Sequence, residues 1–512
     1  MQQQQRLSLA ISMAFALGAF SASAHAQGSE DLHSLKQALQ TGKTTATKIL
    51  EHYQAHSNKF NPQIAAVSAV RVEAKQDAEQ ADKNRNPRLL LQGIPIMVKD
   101  NIAIQGMPTT AGSLALANNI ASSDAFLVAK LRAAGAVLAG KTNLSEWANF
   151  RSTKSTSGWS SAGGQTRNPY NIKKSPCGSS SGSGAAVAAR LIPAAIGTET
   201  DGSIVCPAAV NGIVGFKPTL GLVSRTGVVP LSHSQDTAGP MTLTVRDAAL
   251  LMNVIAGSDA NDAATQAADQ HKVDYTQGLD AQALKGKRIG IVSKLLKGYN
   301  KETLALFNRS VAILKAQGAN IVDQVEIPQM EAAEKDEYTV LLYDFKADLN
   351  VYLANTPSAV STRSMADVMA FNKKNAKQVM PHFGQEIMQQ AQAKGPLSEK
   401  AYLDASERAK RLSGSEGIDA ALKKHQLDAL IAPTTGPAWD INYKKGDVIS
   451  GSASSPAAIA GYPHLTVPMG LVQGLPVGLS FFAGAWSDAS LLQMGYAFEQ
   501  ARPALPAPKL LK

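Results

Sequence analysis

KKSPCGSSSGSGAAVAARLIPAAIGTETDGSIVCPAA, residues 173–209, sets two glycine- and serine-rich loops on either side of one apolar segment. The first loop runs from Gly178 to Gly184 and the second from Gly197 to Ser203. Glycine permits positive φ and close approach, and serine supplies a small hydroxyl that can attack, donate or accept. A flexible linker has a similar composition. A linker does not, however, run straight into Ile204-Val205-Cys206-Pro207-Ala208-Ala209-Val210, which reads as core. These are loops that carry chemistry, and between them the spacing predicts a helix over 183–191.

On either side of this stretch, strands and helices alternate. Residues 89–100 form a short apolar run ending in Lys99-Asp100 and read as a buried strand, whose alternation sends those two side chains to opposite faces. A helix over 124–134 ends at Gly135, and residues 136–139 follow as a small strand. Gly135 to Thr142 matches the phosphate-loop pattern G-x-x-x-x-G-K-T, but a helix precedes it and its interval is apolar, the reverse of a nucleotide loop. Residues 234–240 read as a tight turn. Further strands are expected over 287–292, 427–433, 465–469 and 477–482, and helices over 244–255, 302–317 and 490–500. The region 330–425 is mainly helical and is expected to shape access to a site. No Pro/Gly/Ser-rich linker divides the chain, so the expectation is one α/β domain over 27–512, a large mixed sheet with helices on both faces.

The totals agree with an ordinary globular protein: 512 residues, 44% apolar, 18% charged. The net charge of +10 is spread without a basic run, and aromatics are 5%, which argues against a nucleic-acid partner. Arg6, the apolar run 7–20 and Ala24-His25-Ala26 have the form of a secretory signal peptide cut after Ala26, so a periplasmic or secreted chain is expected, with no membrane span in its mature form. Cys177 and Cys206 flank the two loops and read equally as neighbours in an oxidising compartment or as buried thiols.

A nucleophilic serine needs a base and donors for the oxyanion. Gly178-Ser179-Ser180-Ser181-Gly182 fits the G-x-S-x-G elbow with Ser180 as nucleophile and His464 as a partner, but residues 168–176 cannot supply the buried strand before an elbow, and His464 follows Pro463 in what reads as a turn. A metal would need clustered ligands, and only His52 and His56 stand at H-x-x-x-H spacing, without the glutamate of a zinc hydrolase. The remaining reading is a serine with a lysine base. Lys99, at the end of a buried strand, can be driven toward neutrality by desolvation, provided Asp100 faces away.

Gly93-Ile94-Pro95, Val98-Lys99-Asp100-Asn101, Gly140-Lys141-Thr142-Asn143, Gly178-Ser179-Ser180 and Gly202-Ser203-Ile204 with Pro207-Ala208-Ala209 occur in an order that resembles the amidase signature family. Asp236, Gly239-Pro240, residues 460–463 and 474–479 continue the likeness, which spans residues 32–501. The resemblance implies a Ser-cisSer-Lys triad: Ser203 as acylated nucleophile, Ser179 as the relaying serine and Lys99 as base. It further implies an oxyanion hole of the backbone N–H groups of Thr200, Asp201, Gly202 and Ser203, with Ser180 and Asp236 standing behind the reacting groups or against substrate. No cofactor or metal is implied.

Two departures bear on substrate. Many members carry Gly-Gly-Ser-Ile-Arg where this chain has Asp201-Gly202-Ser203-Ile204-Val205, which adds a carboxylate and removes a cation. Members that act on peptide amides share this wording. The expectation is therefore a monomeric, exported amidase for C-terminal carboxamides of peptides or similar small amides. The alternatives are aryl or fatty amides, the amide-hydrolysing component of a tRNA-dependent amidotransferase, and a silent binding protein.

Overall fold

The computed structural model describes residues 31–511. The expected leader and its cut after Ala26 lie outside the described residues. Eleven strands form one mixed sheet: β1 (Val67–Val70), β2 (Pro95–Lys99), β3 (Val137–Thr142), β4 (Ala194–Glu199), β5 (Val214–Lys217), β6 (Thr237–Thr242), β7 (Arg288–Val292), β8 (Asn320–Val325), β9 (Ala429–Pro433), β10 (His464–Val472) and β11 (Leu475–Phe482). Their order is β1-β3-β2-β4-β6-β5-β10-β11-β9-β7-β8. Strands β3, β2 and β4 run parallel to one another, β9, β7 and β8 do so at the other end, and the pairs between them are antiparallel.

Both faces of the sheet are covered, and the strands show it residue by residue. Ile96 and Val98 of β2 and Ala194 and Ile196 of β4 enter one core, whereas Met97 and Ala195 enter another. The first core is closed by helices Val245–Ile255, Lys301–Ala316 and Asp488–Ala501, the second by Ala46–Ile64 and Ser181–Ala188. A strand buried on both sides needs apolar residues at successive positions, which is why these runs do not alternate in hydrophobicity. Helices occupy most of 330–425, the longest being Met330–Ala354. Among the described residues no helix is long and apolar enough to cross a membrane.

Three local expectations change. The strand expected over 89–100 is confined to Pro95–Lys99, because residues 89–93 turn. Thr237–Thr242, expected as part of a turn, is a central strand pairing with both β4 and β5. Its Gly239 lies so close to the Phe216 carbonyl that a Cβ would stand 2.1 Å from that oxygen, so the glycine marks close strand packing. His464 opens β10 instead of sitting in a turn. Gly140, in the phosphate-loop look-alike, is inside β3, and a Cβ there would meet the Ala69 carbonyl.

Candidate active site

The carboxyl ends of parallel strands β2, β3 and β4 define where the site lies, the position at which open α/β sheets place their ligand crevices. Lys99 is the last residue of β2 and is fully buried. Its Nζ lies 2.7 Å from Ser179 Oγ, 2.8 Å from Thr198 Oγ1 and 3.1 Å from the Thr198 carbonyl oxygen. Asp100 points the other way, as strand alternation requires. It accepts from Lys141 Nζ at 3.2 Å and from the Thr110 hydroxyl at 2.5 Å. Burial lowers the Lys99 pKa from 10.5 to about 7, against the opposing charges of Asp236 and Glu199.

The first serine loop enters through a cis peptide bond between Gly178 and Ser179. A Cβ at Gly178 would stand 2.2 Å from Ser145 Oγ, so a side chain there would displace the serine hydroxyls packed around the loop. Ser179, Ser180 and Ser181 are all buried, and helix Ser181–Ala188 follows at once. Ser180 holds the two loops together. Its Oγ donates to the Thr198 carbonyl at 2.9 Å and accepts from Thr198 N at 3.2 Å, while its backbone N donates to the Ser203 carbonyl at 3.1 Å. Those bonds occupy Ser180 in structure.

The second loop leaves β4 after Glu199 and turns at Gly202, whose φ of +76° suits glycine. Glu199 Oε2 accepts from the backbone N of Ile204 at 2.7 Å and of Val205 at 2.9 Å, fixing the turn directly after Ser203. Burial raises the Glu199 pKa and the Lys217 charge opposes this. Asp236 braces the same loop from outside. Its Oδ1 accepts from Thr200 Oγ1 at 2.6 Å and its Oδ2 from Leu231 N and Ser232 N. A disulfide between Cys177 and Cys206, with Cα atoms 6.0 Å apart, joins the two loops and decides between the two readings of the cysteines.

Ser203 opens on a chamber of about 310 Å³ that is also lined by Asn149, Gly178, Asp201, Leu341, Asp447 and Ser454. Among the described residues no lysine or arginine lines it. Asp201 Oδ2 accepts from Ser455 Oγ at 2.8 Å, and its Oδ1 is buried with no hydrogen-bond partner among the described residues. Burial raises the Asp201 pKa. Gln235 Nε2 reaches both the Thr200 carbonyl at 3.2 Å and Glu337 Oε1 at 2.7 Å, tying the loop to helix Met330–Ala354. From the region 330–425, Leu341 lines the chamber.

His464 is excluded from this chemistry by its surroundings. Its Nε2 lies 2.6 Å from Ser480 Oγ in the sheet, it is fully buried, and burial lowers its pKa to about 3. Sequence reasoning missed Thr198, Glu199, Gln235 and the serines of residues 450–455. The one available signal was for Glu199, a second carboxylate two positions ahead of Asp201-Gly202-Ser203 at the end of an apolar strand.

Fold and geometry define a class: an α/β enzyme in which a desolvated lysine meets two serine loops at the strand ends. Residues 48–492 match the family model described as Amidase, and the chain belongs to that family, the amidase hydrolases. It is 48% identical to the native peptide amidase of Stenotrophomonas maltophilia, covering 95% of this chain and 99% of that one, with a TM-score of 0.90. A probable amidase of Arabidopsis thaliana is 37% identical over 94% of this chain and 91% of its own length. A glutamyl-tRNA(Gln) amidotransferase component from Symbiobacterium thermophilum is 34% identical, covering 92% of this chain and 98% of its own length.

Proposed function

We propose that this amidase is exported through a cleaved leader and hydrolyses primary carboxamides, the C-terminal amides of peptides above all, through an acyl-enzyme on Ser203. The observation that carries the reading is Lys99. Its Nζ donates to the Thr198 carbonyl and hydroxyl oxygens and to Ser179 Oγ, and once burial has removed a proton the same 2.7 Å contact lets the amine lone pair accept from the Ser179 hydroxyl. Ser203 Oγ attacks the carbonyl carbon, its proton passes to Ser179 Oγ, and the Ser179 proton passes to Lys99 Nζ. Backbone N–H groups of Thr200, Asp201, Gly202 and Ser203 hold the oxyanion. The C–N bond then breaks as Lys99 returns the proton through Ser179 to the nitrogen, releasing ammonia. Water repeats the sequence on the acyl ester and leaves a carboxylate.

The likeness to peptide amidase supports the substrate class, as does a chamber whose only charged lining residues among those described are aspartates, Asp201 and Asp447, and which would repel a free acid. Ammonia release from a panel of peptide, aryl and fatty amides tests the reading, with wild type and Ser203→Ala side by side. Peptide amides are expected to be the best substrates and Ser203→Ala to be inactive. Equal activity in both proteins would remove Ser203 from the mechanism.

A further inference from the structure

On the far side of Asp236 from the serine loops, a short segment of residues 231–236 packs against helix Met330–Ala354. Asp344 and Asp348 lie four residues apart on that helix, hence on one face, and both turn toward His233 of the segment. We propose that His233, Asp344 and Asp348 form a binding site for a divalent cation of the zinc class.

His233 Nδ1 stands 3.1 and 3.0 Å from the two carboxylate oxygens of Asp348 and 3.6 Å from Asp344 Oδ1. One donor atom from each of the three residues lies within 4.8 Å of the others. Zinc bonds of about 2.0 Å in a tetrahedron put neighbouring ligand atoms about 3.3 Å apart, inside the observed spread. A second observation concerns how Asp344 is held. Asp344 has no exposed side-chain surface; its Oδ2 takes the hydroxyls of Ser232 and Ser234 at 2.6 Å each, while its buried Oδ1 accepts no hydrogen bond within bonding geometry among the described residues and faces the His233 ring, with the Tyr402 hydroxyl near the carboxylate. A carboxylate fixed by one oxygen, with the other turned to the imidazole, presents a ligand atom already oriented.

The surroundings supply the rest of such a site. Tyr402 Oη lies 3.3 Å from His233 Nε2, so with the proton on Nε2 the ring donates to the phenol and leaves the Nδ1 lone pair for the metal. Asp348 Oδ2 accepts from His233 N at 2.7 Å, which leaves Oδ1 to ligate. The His233 side chain is 45% exposed and borders a cavity of about 330 Å³, giving an entry path and room for water as fourth ligand. Arg225 is the nearby cation, and it is engaged by both oxygens of Asp262. A bound ion would clasp two walls of the reaction chamber, because the segment carries Leu231 and the helix carries Leu341.

Calorimetric titration of the chelator-washed, tag-free chain with zinc chloride tests the site. One zinc per chain is expected, weakened at least tenfold in His233→Ala and in Asp348→Asn and retained in His52→Ala, which disables the other histidine pair. Asp344 is buried, so the two more exposed positions carry the test, and circular dichroism verifies that both variants fold. Absence of zinc binding, binding unchanged in both variants, or magnesium binding as tight as zinc would each overturn the proposal, the last because an imidazole ligand favours zinc.

Discussion

Lowering pH should switch this enzyme off through Lys99, along a limb whose position follows from burial. The fall in its pKa from 10.5 to about 7 corresponds to about 5 kcal/mol of discrimination against the charged amine. If neutral Lys99 takes the proton, kcat/KM rises tenfold per pH unit below about 7 and then levels, so activity at pH 5 is about a hundredth of the plateau. Initial rates of ammonia release from one good peptide amide between pH 4.5 and 9.5 measure this. A rate flat from pH 5 to 7, or one still climbing tenfold per unit at pH 9, would refute the assignment. Stability gives a second readout. Between about 7 and 10.5 the unfolded lysine binds a proton that the native one does not, so wild-type stability rises with pH across that window. Lys99→Met removes both the limb, with about 10² to 10⁴ of the rate, and this slope. Its melting temperature relative to wild type should therefore fall as pH is raised from 7 to 10.

Two further outcomes concern the walls of the chamber. Asp201→Asn neutralises a carboxylate with a bare oxygen in a chamber that no described lysine or arginine lines, and should shift the kcat/KM ratio toward amides that also bear a carboxylate by about tenfold, near 1.4 kcal/mol; an unchanged ratio over matched neutral and acidic substrates would count against it. Replacing Cys177 and Cys206 together by serine opens a cross-link across a sequence separation of 29, worth about 3 to 4 kcal/mol by loop closure. Urea unfolding should show that loss, and an unchanged midpoint would deny the bridge a part in stability.

What could be read from the sequence divides by the range of the force that decides it. Apolar runs such as 95–98 and 429–432 declare buried strands, because burial on both faces leaves no choice of residue type. Short-range turn chemistry misled at 234–240, where Gly239 allows close packing against Phe216 and Pro240 lies opposite Ile196 inside the sheet. The same holds for His464, whose neighbour Pro463 suggested a turn while pairing with β5 and β11 drew it into a strand. The serine loops stood out by composition. Nothing local, however, shows that Ser455, 254 positions away, bonds Asp201, or that His233 meets Asp344 and Asp348, since those contacts exist only after the chain has closed.

The two buried lysines show why position along a strand mattered more than residue type. Lys99 and Lys141 are both fully buried, in adjacent parallel strands whose register sets Lys141 beside Val98 and Thr142 beside Lys99. Lys141 meets the carboxylate of Asp100 together with the Ile102 carbonyl oxygen. Lys99 meets hydroxyls and a carbonyl but no carboxylate within bonding distance among the described residues. Burial lowers the pKa of both amines, but at Lys141 the bonded Asp100 carboxylate opposes the fall directly, whereas Lys99 has only neutral acceptors within bonding distance and feels Asp236 and Glu199 from further off. A single strand places Lys99 and Asp100 on opposite faces, so one dipeptide supplies a candidate base to one side and the counter-ion of its neighbour to the other. Exchanging the two residues would give each side the wrong group. The Lys99-Asp100 order at the end of β2 therefore bears directly on the chemistry proposed for Ser203.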